Sequence, residues 1–486
     1  MKKNFLNFIG LAALLCGCSA PKAPAPFGAV PTPQQVEWQK METNMFLHFG
    51  PNTFTSAEWG NGQEDEDIFN PTDLDCRQWA RTAASAGFKG MIITAKHHDG
   101  FCLWPSPEST HTVEYSSWRD GKGDVLAELS EACAAEGLKF GVYISPWDRN
   151  DPRYGSDEYN LAFVNTLKSV LGGTYGDIYE QWFDGACGEG PTGKRQKYDW
   201  PLFNGTVYEH QPDAVIFSDC GPGCRWVGNE RGQAGKTSWS TIDAAPYEPG
   251  AGAPPREQLN EGVKNGPQWI PSETDVSIRP GWFWKESENS EVKSLQKLLQ
   301  IWYESVGRNS LLLLNVPPDT RGHIHEIDSS RLMEFRAALD LIQSKDFAAG
   351  AKVVATTFDG KPLKVRGKAF RPDNLTCGNY DRYWAPGDDV TCARLEIRLP
   401  GQCRFNRVML QEYIPLGQRV ESFTIEVPDG DGWKTVAEET TIGYKRIVLI
   451  PQTTADKVRI SITGSLACPV LSTVSLWQDD ICSEGQ

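Results

Sequence analysis

Between about residues 34 and 345 the chain alternates short apolar runs with stretches whose apolar residues recur at helical spacing. Met45-Phe46-Leu47-His48-Phe49 reads as a strand. Residues 74–86 predict a helix stopped by Gly87, and residues 88–94 the next strand. Val125, Leu126, Leu129 and Cys133 fall on one helical face, with Asp124 placed to cap its start and Gly137 to stop it. Residues 138–144 predict a strand, 161–171 a helix, and 178–183 a further strand, while 214–218 and 311–314 read as buried strands. Repeated β-then-α units of this kind predict an α/β fold, a (β/α)8-like TIM barrel with long loops. A doubly wound sheet is the alternative, but no glycine-rich phosphate loop follows the first strand.

The pattern changes after Gly350. Leu395-Glu396-Ile397-Arg398-Leu399, Phe423-Thr424-Ile425-Glu426-Val427 and Val458-Arg459-Ile460-Ser461-Ile462 alternate with period two between Gly, Pro and Asp turns. That alternation predicts a C-terminal β-sandwich over 350–486, behind a barrel over 34–345. A chain of 486 residues has room for both cores.

Before residue 34 the composition is that of a targeting segment and a tether. Lys2 and Lys3 precede an apolar stretch, 5–15, too short to span a bilayer. Leu15-Cys16-Gly17-Cys18 resembles the bacterial lipobox, which implies a signal peptide over 1–17, acylation at Cys18, and a bacterial cell-envelope lipoprotein, periplasmic or outer-membrane, held to its membrane by the lipid alone. A plain signal peptide cut nearby is the alternative. Pro21, Pro24, Pro26, Pro31 and Pro33 make 18–33 a semi-rigid, Pro-rich tether.

A formal charge of −15 argues against nucleic acid as a partner and favours neutral ligands. Of 13 cysteines, those beyond Cys18 show no disulfide framework; Cys220 and Cys224, around Gly221-Pro222-Gly223, are candidates for one bridge, and Cys133 reads as a small core residue.

Polar and aromatic residues gather where the strands end, which is where barrel enzymes place their chemistry. His48 ends the first strand, with Glu58-Trp59 beyond it; Lys96-His97-His98-Asp99 ends the second; Tyr143 and Trp147 mark the third; Trp182-Phe183-Asp184-Gly185 ends the fourth. Arg225-Trp226-Val227-Gly228-Asn229-Glu230 reads as a loop bringing a second carboxylate. Two carboxylates among Trp side chains are the minimal equipment for cleaving a glycosidic bond. Asp184 could instead cap the next turn. His97 and His98 would face opposite ways on a strand, and no metal-ligand spacing such as HExxH is present, so neither a catalytic metal nor another cofactor is expected. Neutral imidazoles suit sugar hydroxyls, since each can donate and accept. Seventeen Trp residues, Trp282 and Trp284 among them, offer flat faces for sugar C–H groups.

Leu47-His48-Phe49-Gly50, Glu58-Trp59-Gly60, Lys96-His97-His98-Asp99-Gly100-Phe101, Trp182-Phe183-Asp184-Gly185, Gly228-Asn229-Glu230 and Arg279-Pro280-Gly281-Trp282 together resemble the α-L-fucosidases of glycoside hydrolase family 29. The resemblance implies Asp184 as nucleophile and His48, Glu58, Trp59, His97 and His98 as ligands of the fucose hydroxyls. It places Tyr143 and Trp182 along the ring, Trp282 against the C6 methyl, and Arg279 also in the binding site. The setting of Glu230 looks like the subgroup that cleaves α-1,3 and α-1,4 linkages on branched, Lewis-type glycans, with Glu230 as acid/base. Fucosylated oligosaccharides and glycoconjugates are then the expected partners. The C-terminal unit looks like a galactose-binding-like, discoidin-type module. A fucosidase of wider tolerance that includes α-1,2 linkages, a metal-dependent hydrolase, and a glycan-binding lipoprotein without activity stand as alternatives. A retaining double displacement requires the two carboxyls about 5–5.5 Å apart.

Overall fold

The computed structural model describes residues 22–364 and 366–482. Eight parallel strands close a barrel: β1 (Thr43–Leu47), β2 (Gly90–Lys96), β3 (Lys139–Ile144), β4 (Ile178–Trp182), β5 (Val215–Ser218), β6 (Cys224–Trp226), β7 (Ser272–Ser277) and β8 (Leu311–Asn315). Each pairs with its neighbours in chain order, and β8 returns to β1 with Thr43 opposite Leu312. The outward side chains of the strands, such as Met91, Ile93, Val142 and Ile144, pack under the helices. The inward ones, Phe46, Ile92, Tyr143, Trp182, Val215, Phe217 and Leu313, fill the lumen as a separate cluster. The barrel is therefore a packed core and not a pore.

Local chemistry sets the helix ends. The helix Cys76–Ser85 starts where the Asp75 carboxylate accepts from Gln78 N at 2.8 Å, and Val125–Glu136 starts on Asp124, which accepts from Ala127 N at 2.9 Å. Gly137, with φ +69°, closes the latter in the left-handed region that disfavours other residues. Asp157–Leu171 begins a turn earlier than its apolar spacing indicates, because Asp157 and Glu158 suit a helix N-terminus. Ahead of β1, the helix Pro33–Met41 carries a capping box between Thr32 and Gln35 and delivers Trp38 into the lumen.

One irregularity matters for the interior. Between Phe140↔Ile178 and Val142↔Gln181, β4 carries one residue more than β3, a bulge at Tyr179 and Glu180. The Tyr179 ring occupies the space left by Gly90 and Gly141, and the Glu180 carboxylate reaches the Trp38 indole at 2.8 Å.

The C-terminal unit is an antiparallel sheet built around its own core of Leu395, Ile397, Val408, Leu410, Phe423, Ile425, Val458 and Ile460. Its strands are β9 (Lys352–Thr356), β10 (Ala393–Glu412), β11 (Val420–Asp429), β12 (Gly432–Glu439), β13 (Arg446–Ser465) and β14 (Leu471–Trp477), in the order β9-β10-β13-β11-β12 with β14 on β10. The short alternating segments of the sequence are parts of strands of 20 residues, β10 and β13, whose register shifts at Arg398/Cys403 and Phe405/Arg407 let them bend around that core. Polar contacts join the unit to the barrel: Tyr303 Oη and Arg407 Nη2 both donate to Asp479 Oδ2, and Asn309 Oδ1 accepts from Tyr444 N at 2.7 Å.

The part of the expected tether within the described residues is docked. Arg419 Nη2 donates to Ala25 O at 2.7 Å and Phe27 N to Leu416 O at 3.1 Å, so the Pro-rich segment runs along the C-terminal unit. Cys18 and the stretch expected to be a signal peptide lie outside the described residues. Among the described residues no helix is long and apolar enough to cross a membrane. Cys220 and Cys224 are free thiols, since Cys224 turns into the lumen against Glu180 while Cys220 packs with Ile242, Ala244 and Ile270.

Candidate active site

The carboxyl ends of β1 to β4 bring His48, His97, His98, Tyr143, Trp182 and Asp184 into one cleft. Asp184, two residues past β4, presents Oδ2 to the Tyr143 hydroxyl, which donates to it at 3.1 Å, and to His98 Nε2 at 3.6 Å. Oδ1 accepts from Ala186 N at 2.7 Å, which fixes the carboxylate plane. Gly185 next to it is required sterically: a Cβ there would collide with the Asp219 carboxylate.

Two of the three histidines, His48 and His98, are held in a defined tautomer. The Asn315 amide donates to Ser277 Oγ and Trp282 O, so its Oδ1 faces His48 Nδ1 at 2.8 Å as an acceptor and Nδ1 carries the proton. The Ser145 hydroxyl donates to Trp147 O and accepts from His98 Nδ1 at 2.8 Å. Both rings therefore turn an unprotonated Nε2 outward. Burial pushes His48 down to about 3 and His98 to about 4, and lowers His97 well below its ordinary value, so all three are uncharged at neutral pH. β2 ends at Lys96, so strand alternation does not separate His97 from His98; their ring centres lie 4.1 Å apart. Beneath them Lys96 and Asp148 form a buried ion pair at 2.8 Å.

Aromatic faces surround this polar patch. Trp182 stacks on Phe217 with centroids 4.0 Å apart and planes 7° from parallel, and Trp282 lies 5.0 Å from His48. Trp59 is 60 % exposed, standing edge-on to Trp147 and His98 at the cleft rim. Glu58 accepts from Trp282 N at 2.8 Å and pairs with Lys285, tying the loop after β1 to the loop after β7.

Glu230 stands in a loop as expected, but the loop begins later: Cys224–Trp226 is strand β6, so the carboxylate lies four residues past a strand end. Its side chain is at the surface of the cleft, hydrogen-bonded to Trp282, and its carboxyl is raised above the ordinary range by partial burial, with the Asp184 charge adding to the rise and the Trp282 hydrogen bond opposing it. A groove of about 1010 Å³ opens beside it, lined by Asn229, Arg231, Gln233, Lys236, Arg256 and Asn260 among others.

Arg279 is the expected site residue that the fold places elsewhere. Its guanidinium has no exposed surface and is paired with the equally buried Asp328 at 2.8 Å, because a charge in that interior requires a counter-charge. It braces the segment that carries Trp282 and does not line the cleft.

Two further carboxylates at the strand ends were not singled out in the sequence. Asp219, just past β5, accepts from Gly250 N at 2.6 Å; burial pushes it up to about 6, with Asp184 adding to the rise. Asp275, inside β7, is 4 % exposed and accepts from Trp226 Nε1 at 2.9 Å. The signal that could have found Asp275 is the run Ser272-Glu273-Thr274-Asp275, polar at every position and buried at every position. Among the described residues, Glu180, Cys224 and Glu273 converge closely enough to hold a metal ion, but they are sealed in the lumen, with one oxygen of each carboxylate committed to the Trp38 or the Trp182 indole.

Comparisons with known proteins bear on this arrangement. The F5/8 type C domain profile matches residues 356–473, the region of the C-terminal sheet. The structure resembles SpGH29, with a TM-score of 0.87 and 36 % identity over 94 % of this chain and all of that one. It also resembles a Ruminococcus gnavus GH29 fucosidase solved in complex with fucose, with a TM-score of 0.85 and 32 % identity over 96 % and 98 % of the two chains. "Alpha-L-fucosidase 1" of Arabidopsis thaliana is 40 % identical over 98 % of this chain and 93 % of its own length, and a rice relative is 43 % identical over 95 % of this chain. These plant relatives overturn the expectation of a bacterial envelope lipoprotein: kinship across nearly the whole chain runs to plant enzymes and lends no support to a lipid anchor. With the Alpha-L-fucosidase profile matching residues 26–340, the whole of the barrel, the chain belongs to the α-L-fucosidases of glycoside hydrolase family 29.

Proposed function

We propose that the protein is a retaining exo-α-L-fucosidase that removes α-1,3- and α-1,4-linked L-fucose from branched, Lewis-type glycans, with Asp184 as nucleophile and Glu230 as acid/base. The observation that carries this reading is the pairing of a fixed carboxylate with a raised one in a single cleft: Asp184 is held by Tyr143 and Ala186, and Glu230 is the group whose proton the charge of Asp184 helps to retain.

Asp184 attacks the anomeric carbon while Glu230 passes its proton to the departing glycosidic oxygen, giving a fucosyl-enzyme. Glu230, now ionised, takes a proton from water as that water displaces Asp184. The free Nε2 atoms of His48 and His98 accept sugar hydroxyls, and the Trp282 face meets the methyl group. What supports the linkage preference is the groove beside Glu230, lined by amides and guanidiniums able to hydrogen-bond the hydroxyls of a further sugar.

The test is L-fucose release from Lewis a trisaccharide and from 2′-fucosyllactose, with Asp184→Ala and Glu230→Ala alongside and azide added to the latter. Release from the branched sugar alone, lost in Asp184→Ala and partly restored by azide in Glu230→Ala, is the expected result. Equal release from both sugars overturns the linkage assignment, and full activity in either variant overturns the residue roles.

A further inference from the structure

The lumen below the cleft holds three buried carboxyl groups, each accepting a hydrogen bond from a different indole. Trp38 Nε1 donates to Glu180 Oε2 at 2.8 Å, Trp182 Nε1 to Glu273 Oε1 at 2.9 Å, and Trp226 Nε1 to Asp275 Oδ1 at 2.9 Å. The spacing follows from the strands. Glu273 and Asp275 are two apart on β7 and so share the inward face, and the bulge in β4 turns Glu180 toward them. Among the described residues none of the three carboxyls has an ion-pair partner, and Glu180 and Glu273 have no exposed surface. Arg225, the cation on neighbouring β6, is turned away to the carbonyls of Leu259 and Trp239.

We infer that this ladder is a set of uncharged carboxylic acids whose top rung, Asp275, is a positioning residue for the reaction: it orients Trp226, and through it the β6 end that presents Glu230. The inference rests on the assignment of Glu230 as acid/base. The groups facing Asp275 are Glu273 on its own strand, Asp184 from the end of β4 and Glu230 from beyond β6, all of them acids. An ionised Asp275 would be a desolvated charge whose charged neighbours are all repulsive, with the Trp226 N–H only partly offsetting them. Burial, then Glu230, raises its carboxyl well above the ordinary range, in accord with that geometry. A neutral acid accepts the indole N–H as a carboxylate would, and it adds no charge to a site where Asp184 must remain the anion and Glu230 must change state once per half-reaction.

Asp275→Asn and Asp275→Leu separate this role from simple packing. Leu removes the acceptor and is expected to lower kcat at least about tenfold, the scale of losing one buried hydrogen bond; Asn, which still accepts from Trp226, is expected to restore most of that loss. In Asp275→Asn the basic limb of kcat/KM should stay in place, and infrared difference spectra against wild type should lose one carbonyl stretch of a protonated carboxylic acid at pH 7. A basic limb displaced downward by a pH unit, or no loss of that band, shows that Asp275 is ionised and overturns the inference. The infrared band reads Asp275 alone, so it stands or falls independently of whether Glu230 proves to be the acid/base in the azide experiment.

Discussion

The Tyr143 hydroxyl donates to Asp184 Oδ2 across 3.1 Å, from a side chain that is 1 % exposed. Tyr143 lies on β3 opposite Trp182, with Asp184 two residues further along, so the strand register itself sets the contact. In the proposed mechanism the phenol orients the carboxylate edge that attacks, and it is too buried to move with substrate. Tyr143→Phe keeps the ring contacts with Trp182 and removes only this donor. We expect kcat to fall about tenfold, equivalent to roughly 1.4 kcal/mol, with KM within about threefold. Steady-state kinetics on an aryl fucoside and on Lewis a trisaccharide checks this; a change confined to KM would place Tyr143 in binding alone.

The state of Glu230 fixes the sign of the pH response. Partial burial raises its carboxyl and the Asp184 charge raises it further, while Trp282 opposes both. The proposed first displacement needs Glu230 protonated, so kcat/KM should fall as pH rises through its pKa, giving the basic limb of a bell. Asp184→Asn removes the like charge, so the Glu230 carboxyl should titrate at lower pH in that variant. Carbon-13 NMR of glutamate-labelled protein measures it directly. An unchanged Glu230 in Asp184→Asn would mean that the two carboxylates are not coupled.

The barrel was legible in the sequence because strands β1 to β5 and β8 are apolar runs buried on both faces, and periodicity reports burial. β7 escaped for the converse reason. Ser272, Glu273, Thr274, Asp275 and Ser277 are all buried, with Glu273 and Asp275 answered by indoles from other strands and Thr274 by the Ser310 hydroxyl. Only the closed barrel reveals those partners. Residues 224–226 escaped because three residues are too few to show a period. The cleft was legible through the strand-end clusters of His48, His97, His98 and Asp184, whose positions follow from the chain's direction alone. Arg279 was not, since sequence proximity to Trp282 says nothing about which way a side chain turns, and Asp328, the acid that draws it inward, is 49 residues away.

Arg225 illustrates a buried charge without a carboxylate. Its guanidinium has no exposed surface and donates to the carbonyls of Leu259, Trp239 and Ile270. It thereby gathers three segments behind the loop that carries Glu230. Burial lowers it to about 9, still charged at neutral pH. Arg225→Met strands these carbonyls in a dry interior, and we expect a loss of at least about 3 kcal/mol in urea unfolding. A loss under about 1 kcal/mol would show that water can replace the guanidinium.

The lowest rung of the lumen ladder makes stability depend on pH in a direction opposite to that of surface acids. Burial pushes the Glu180 carboxyl up to about 7, against about 4.5 for an ordinary glutamate, with hydrogen bonds from Trp38, Glu273 and Cys224 only partly opposing it. A folded-state pKa above the unfolded one means that the native protein holds a proton the unfolded chain releases. The stabilising contribution is therefore complete below about pH 4.5 and disappears as pH rises through about 7, a change on the order of 3 kcal/mol. Wild-type Tm should fall between about pH 4.5 and pH 7.5. Glu180→Gln presents Trp38 with an amide oxygen in place of the carboxyl oxygen at 2.8 Å and has no proton to lose, so its Tm should vary less over the same interval. Parallel curves for wild type and Glu180→Gln would mean that Glu180 is already ionised in the native barrel, a charge in a lumen that offers it no cation.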